Sequence, residues 1–262
     1  MGKDLKLRTI FDQVAELYDK IRPGYPDELF DELIEKTGID KNSKLLEIAP
    51  GTGQATLPLA KRGYNITAVE LGSQLAEIAR KNLGDYPNAQ IITGAFEDVK
   101  LPAESFDLIY VATAFHWIKP EVKFTKPHRL LKIDGYLSII SGDQISDEVG
   151  DRFFHATQPL YNKYWPSDPD NPFRLRHLSE VKSADLDSNL FKLAHFNCFP
   201  RAISYTAEEY RQLINTDSEK LALPPDKREK FLSDMEKLIN EKFNGKIERH
   251  YANSLTITKK YP

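Results

Sequence analysis

Leu45-Leu46-Glu47-Ile48-Ala49-Pro50-Gly51-Thr52-Gly53-Gln54-Ala55-Thr56 is the stretch that decides the fold. The apolar run from Lys44 to Ile48 ends at a Pro-Gly-Thr-Gly turn and reads as a buried strand. Gln54 to Arg62 follows as a helix, stopped by Gly63. Glycines at 51 and 53 tolerate positive φ and let a ligand approach the turn closely. Nineteen residues after Gly51, Glu70 closes a second strand, Asn65 to Glu70. An acidic side chain at that point can accept both hydroxyls of a ribose, so turn, strand and acid together point to a nucleotide site.

Outward from this unit the same alternation continues. Ser73 is placed to cap a helix whose Leu75, Ile78, Ala79 and Leu83 form one apolar face, ending at Gly84. Ala89 to Thr93, Phe106 to Ala112 and Gly135 to Ser141 read as strands, with a helix over Lys123 to Leu131. These strands are continuously apolar, as expected when helices cover both faces. The repeated β-α-β order predicts an α/β fold, a doubly wound parallel sheet with right-handed crossovers. Ligands of such sheets bind at the carboxyl ends of the strands, near the switch in strand order.

The second half differs. Residues 145–190 hold Phe153, Phe154, Tyr161, Tyr164 and Trp165, followed by Pro166, Pro169 and Pro172. That pattern reads as a helix and then a proline-punctuated loop. Ala194 to Ser204 and Ile247 to Thr258 are strand-like and suit an antiparallel edge pair. Thr206 can cap a helix to Ile214, and Asp226 to Asn240 suggests another. With no repeat and no flexible linker, we expect one domain over 1–262. Its parts are an N-terminal cover over 1–40, a cofactor-binding core over 41–144 and substrate-cover insertions over 145–190 and 206–243. A final strand pair over 191–205 and 246–260 completes it.

Composition narrows the function classes. The chain has 262 residues, 40% hydrophobic and 29% charged, far from the disordered regime. Its net charge of −3 gives no overall pull towards nucleic acid or anionic lipid. A single cysteine, Cys198, excludes an internal disulfide framework, a cysteine-rich zinc site and a Cys-ligated iron–sulfur cluster. No clustered Cys/His spacing suggests a metal. No apolar run approaches the roughly 20 residues of a membrane helix, and the N-terminus lacks a signal-peptide pattern. A cytoplasmic chain without membrane or nucleic-acid partners, monomeric or homodimeric, is the expectation.

Two nucleotide-binding patterns compete for the glycine turn. The dinucleotide fingerprint wants Gly or Ala at its third position, where this chain has Thr56. The other pattern places an acid at the end of the first strand, then x-G-x-G-x-G. Glu47-Ile-Ala-Pro-Gly-Thr-Gly53 fits it, with Ala49 replacing the first glycine. Phe11-Asp-Gln-Val-Ala-Glu-Leu-Tyr18-Asp-Lys-Ile-Arg22-Pro-Gly-Tyr25-Pro26, Thr93-Gly-Ala-Phe-Glu-Asp98, Phe106-Asp107 and Ala114-Phe115-His116-Trp117 add to it. Taken together, residues 11 to 141 resemble the Rossmann-like S-adenosylmethionine-dependent methyltransferases, in particular the small-molecule, trans-aconitate methyltransferase-like branch. The C-terminal half resembles that branch in layout only.

The resemblance implies a seven-stranded sheet, mostly parallel with an antiparallel last strand, plus covering helices. It also implies an enzyme that moves a methyl group from S-adenosylmethionine to a small molecule, with a carboxylate or a hydroxyl as candidate acceptor. By the same resemblance Glu47, Ala49, Gly51, Thr52 and Gly53 line the methionine and ribose part of the cofactor. Glu70, with Leu71 beside it, binds the ribose hydroxyls. Ala95 and Phe96 flank adenine, Thr113 and Ala114 sit beside the sulfonium, and Gln54 and Arg22 reach the methionine carboxylate. Many relatives carry Asp where this chain has Ala95, which leaves Glu97 or Asp98 to meet the adenine amino group. An NAD(P)-dependent oxidoreductase shares the glycine turn and Glu70. A non-catalytic S-adenosylmethionine-binding accessory protein would explain Ala49 and Ala95.

Individual residues carry two readings each. His116 is either a base for an oxygen or nitrogen nucleophile or, with Trp117, packing of a loop wall. Arg22, between Tyr18 and Tyr25, either clamps a carboxylate of cofactor or substrate or pairs with Asp19 or Glu16 on the surface. Tyr18, Tyr25 and Trp117 are candidate substrate contacts. The aromatic group from Phe153 to Trp165 reads as core more than pocket wall, and Arg174, Arg176 and His177 read as a solvated loop. Cys198 reads as a buried small hydrophobe.

Overall fold

A computed structural model describes residues 5–146, 148–165 and 174–261; Pro166, Pro169 and Pro172 lie outside them. A 3₁₀ segment over Leu5–Val14 leads into α1 (Ala15–Ile21) and α2 (Asp27–Thr37). Next come β1 (Lys44–Ile48), α3 (Thr56–Lys61), β2 (Asn65–Glu70), α4 (Ser73–Asn82), β3 (Ala89–Thr93) and β4 (Phe106–Ala112). A short 3₁₀ turn over Phe115–Trp117, α5 (Thr125–Leu130) and β5 (Leu131–Gln144) follow. The remainder is α6 (Glu148–Tyr164), a 3₁₀ turn over Leu178–Glu180, β6 (Phe191–Thr206), α7 (Ala207–Ile214), α8 (Ser218–Leu221), α9 (Pro225–Phe243) and β7 (Lys246–Lys260).

The strands form one seven-stranded sheet in the order β3-β2-β1-β4-β5-β7-β6. β1 pairs in parallel with β2 and β4, β2 with β3, and β4 with β5. β7 runs against β5. Ile145 N donates to His250 O, Thr258 Oγ1 to Leu137 O and Lys260 Nζ to Leu131 O, so numbers rise on one strand as they fall on the other. The order reverses between β1 and β4, and that pair marks the switch point.

The chain divides into two compact units. Unit 1 holds the described residues up to Ser141 with 182–199 and 253–261. Each of its inner strands contributes alternate residues to two apolar clusters. Leu45, Leu108 and Tyr110 join Leu29, Phe30 and Leu33 of α2 and Leu59 of α3 in one. Leu46, Ile48, Ile109 and Val111 join Leu130, Leu137 and Phe191 in the other. Both faces are therefore buried, which is why these strands read as continuous apolar runs. Unit 2 holds the described residues of 142–181 and 200–252. Phe153 packs edge-on against Tyr210 and Phe243 there, and Phe231 lies against Tyr161, Tyr164 and Trp165. Phe153 and Phe154 are core, as their spacing suggests, while Tyr161, Tyr164 and Trp165 are half-buried around Phe231. Arg174 pairs with Glu180 and Arg176 with Asp143 on exposed loop surface.

Three local expectations need correction. The helix after the glycine turn starts at Thr56 rather than Gln54, because the turn itself runs through Ala55. Cys198 is only half-buried. Ser73 is not the cap of α4: Gly72 occupies the N-cap position. The Asp12 carboxylate accepts from Gln74 N at 2.8 Å and Leu75 N at 3.0 Å instead, satisfying two orphan donors of that helix from 62 and 63 residues away. A Cβ at position 72 would lie 2.6 Å from Asp12 Oδ1, so only glycine admits this contact.

Asp12→Ala is expected to destabilise the protein by about 1 kcal/mol through the lost cap, seen as a lower urea midpoint. An unchanged midpoint would show that water caps α4 equally well.

Candidate functional site

The carboxyl ends of β1, β2 and β4 bring most of the expected residues together. Glu47, at the fourth position of β1, is 0% exposed. Its Oε2 accepts from Thr56 Oγ1 at 2.5 Å and from Tyr110 OH at 2.7 Å. Its Oε1 is buried and has no hydrogen-bond partner among the described residues. Burial raises the carboxyl to about 7. A buried acceptor without a donor is costly unless something completes it, and a cationic group is its natural complement.

Past β1 the backbone turns sharply. Ala49 has φ 55°, Gly51 63° and Gly53 98°. Ala49 therefore holds a conformation that a glycine would adopt without strain. Thr113, just after β4, has φ 52°. Both still close the sheet: Ala49 N donates to Val69 O and Thr113 N to Ile140 O. Gln54 Nε2 folds back onto Thr52 Oγ1 at 2.7 Å. Asn82 of α4 ties the turn to α1, donating to Thr52 O and to Asp19 Oδ1.

Glu70, 5% exposed, joins the two turns. Its Oε2 accepts from Gly51 N at 2.9 Å and its Oε1 from Gly72 N at 2.8 Å. Burial raises this carboxyl to about 6, with those backbone donors opposing the rise. The Leu71 N–H also acts on this carboxylate, whose two oxygens have about four acceptor positions in all. Leu71 lies between Glu70 and Gly72 in this loop.

The N-terminal segment brings an aromatic group to the same end. Phe11 makes edge contacts with Tyr18 and Trp117, and Tyr18 Cε1 would lie 3.6 Å from a Cβ at Gly51. The Arg22 guanidinium lies over the Tyr18 ring at 5.1 Å. Tyr25 OH and Thr113 Oγ1 share a hydrogen bond at 3.0 Å, and burial pushes the Tyr25 hydroxyl well up, so it stays a neutral phenol. Exposed His116 stacks at a tilt on Trp117, 4.8 Å between centroids.

The loop after β3 is held by Lys126. Its Nζ donates to Phe96 O, Glu97 O and Val99 O and lies over the buried Phe96 ring. Ala95 opens this loop. Glu97 is engaged by Arg8 at 2.6 Å and by Lys119 N, which leaves exposed Asp98 as the less committed acid there. Asp12, Asn82, Lys126, Tyr110 and Thr56 escape sequence reading as site-supporting residues. Only Thr56 carried a signal, at the third position of the glycine pattern.

Ala49→Gly is expected to raise stability by roughly 0.5–1 kcal/mol, the relief of left-handed strain less the glycine's unfolded-state entropy. A chemical denaturation midpoint below that of the parent would mean that the Ala49 methyl packs more than it strains.

Comparison with known proteins agrees with this geometry. A methyltransferase domain family matches residues 46–139, from β1 into β5. An uncharacterised methyltransferase-like protein of Schizosaccharomyces pombe is 27% identical over 240 residues, 91% of this chain and 88% of its own. A solved protein of Anaeromyxobacter dehalogenans, described as a type II methyltransferase, superposes with TM-score 0.64 at 18% identity, covering 90% of this chain and 97% of that one. The Haemonchus contortus phosphoethanolamine N-methyltransferase 2, solved with phosphomonomethylethanolamine and S-adenosylhomocysteine, gives TM-score 0.52 at 15% identity, covering 100% of this chain and 60% of that one. The matched segment contains the β1 turn, Glu70 and Thr113, and the sheet around it is the mixed, mostly parallel one expected of the fold: the chain is an S-adenosylmethionine-dependent methyltransferase of Rossmann-like fold.

Proposed function

We propose that the methyl acceptor is a small molecule bearing a carboxylate or a hydroxyl, and that the residues at the ends of β1, β2 and β4 hold the cofactor. The carrying observation is how the N-terminal segment is fastened. Asp12 caps α4, Arg8 pairs with Glu97, Asp19 accepts from Asn82, and Phe11 contacts Tyr18 and Trp117. Such anchored aromatic cover suits a small, desolvated acceptor. A polyanion would need an open basic face, which a net charge of −3 does not favour.

The residues present fit the cofactor's chemistry. When bound, S-adenosylmethionine supplies a methyl group already activated on a sulfonium sulfur. Glu47 Oε1, buried and without a partner among the described residues, complements a cation. Glu70 offers its remaining acceptor capacity to the ribose hydroxyls while the Gly51–Gly53 turn lets the ligand approach the backbone closely. Ala49, Thr52 and Leu71 line the same turns, Ala95 and Phe96 take the adenine side, and Arg22 and Gln54 the methionine carboxylate. Thr113 stands at the reacting end, where Tyr25, Tyr18 and Trp117 contact the acceptor. Tyr25, held neutral by burial, acts there as a hydrogen-bonding orienter and not as a base. For a hydroxyl acceptor His116 takes up the proton; a carboxylate acceptor needs no base.

Two measurements test this. Incubation with methyl-labelled S-adenosylmethionine and mixed small hydroxy and carboxylic acids should label a small product. Label confined to protein or RNA would sink the small-acceptor reading. The second concerns pH. Free Glu47 holds a proton up to about 7, whereas its ordinary value is 4.5. A cationic cofactor favours the carboxylate, so binding expels that proton and affinity rises with pH. The gain approaches roughly tenfold per unit on the acid side of 7 and levels off above it. Calorimetry across this range should show the slope, and Glu47→Gln should flatten it; an equal slope in the variant removes Glu47 from the site.

A further inference from the structure

Unit 2 contains a buried cation that the methyl-transfer chemistry does not use. Arg249, on β7, is 6% exposed. Among the described residues no carboxylate stands within ion-pair distance of it. Its Nη1 donates to Tyr210 OH at 2.5 Å and its Nη2 to Gln144 Oε1. The guanidinium carbon is 5.2 Å from the Phe153 ring centroid and 5.5 Å from that of Tyr210. Those two centroids are themselves only 5.1 Å apart, so both rings stand on one side of the guanidinium. Tyr161, Tyr205 and Tyr251 are the other groups whose hydroxyls act on its charge. Burial pushes all three of these hydroxyls up, so they stay protonated; Tyr161 hydrogen-bonds to Tyr210 and Tyr251 to Tyr205, a phenol network around the guanidinium.

A buried guanidinium normally has a carboxylate beside it, because an uncompensated interior charge is expensive. Ring faces and neutral hydroxyls recover only part of that cost. Here a fork of N–H donors and several phenol hydroxyls share one place, with no carboxylate among the described residues at ion-pair distance. That donor set is the complement of an oxyanion, which takes two or more charge-assisted hydrogen bonds at once. Tyr161 and Tyr251 are partly exposed, giving the cluster contact with solvent.

We propose that Arg249, with the hydroxyls of Tyr161, Tyr205 and Tyr251, forms a binding site for a small oxyanion, a carboxylate or a phosphate. The site lies wholly within unit 2 and its existence does not depend on the acceptor chosen for methyl transfer.

The test uses the full chain without cofactor. Calorimetric titrations are run with succinate, with inorganic phosphate and with neutral succinamide at matched ionic strength. Saturable binding of succinate or phosphate, absent for succinamide and at least tenfold weaker in Arg249→Met, supports the site, and the tighter anion names its source. Arg249→Met removes an unneutralised buried charge while keeping much of the volume, so the parent's circular dichroism should persist. Should that variant fail to fold, Tyr251→Phe, which removes one hydroxyl and leaves the ring, must weaken anion binding at least threefold. No saturable binding of either anion to the parent overturns the proposal, as does binding that is unchanged in the variant that folds.

Discussion

The Glu70 carboxylate spans the turns that follow β1 and β2. One oxygen holds the backbone of the β1 turn at Gly51, and the other holds the β2 turn at Gly72. Gly72 is also where Asp12 comes close enough to cap α4. The side chain therefore sets the distance between the glycine turn and the helix that follows β2. Through that helix it sets the anchor of the N-terminal segment. Its burial raises the energy of the ionised form, and the backbone donors are what keep a carboxylate tolerable there.

Strain is concentrated at the same edge. Ala49 and Thr113 both take left-handed backbone conformations, and they follow strands that pair directly, with Ile48 opposite Val111. Each spends its N–H on a different neighbour, Ala49 on β2 and Thr113 on β5. The chain thus leaves two adjacent strands in opposite directions immediately after their last ladder bonds. That divergence is the local form of the switch in strand order, and it is what leaves room for a ligand between two strand ends. Conformations costing about 1–3 kcal/mol each persist only where surrounding bonds over-determine them, as these two ladder bonds do.

How much of this was legible depended on the range of the interaction. The strands of unit 1 were readable because both of their faces are buried, so Leu45-Leu46 and Leu108 to Val111 are apolar whichever way they point. Glu70 was readable because its spacing from Gly51 is set within one β-α-β unit. Ala49 was readable only as a replacement of the pattern's first glycine; that the backbone keeps the glycine-like φ there is visible in the structure alone. Asp12 was not readable as a cap, since Ser73 offers a local alternative and only tertiary structure lets an acid 62 residues upstream displace it. Arg249 was invisible too, because an arginine in a strand reads as solvent-facing until its neighbours are known.

Each unit, taken by itself, buries an ionisable group whose charge its described neighbours do not offset. Unit 1 holds Glu47 and Glu70 with both carboxyls shifted towards neutrality, the former with one oxygen that meets no donor among the described residues. Unit 2 holds Arg249 with aromatic and hydroxyl neighbours and no described carboxylate at ion-pair distance. Folding alone selects against both arrangements, because a neutral residue of similar size would pack at lower cost. Where backbone carbonyls do not take up the charge, as they do for Lys126 and Lys260, an interior charge left without its opposite points to the polarity of something that binds. By that reasoning the Glu47 carboxylate suits a cation, and the sulfonium cofactor proposed to bind there is one. The same logic, applied to a guanidinium that cannot shed its charge as Glu47 can, calls for an anion in unit 2 with more force.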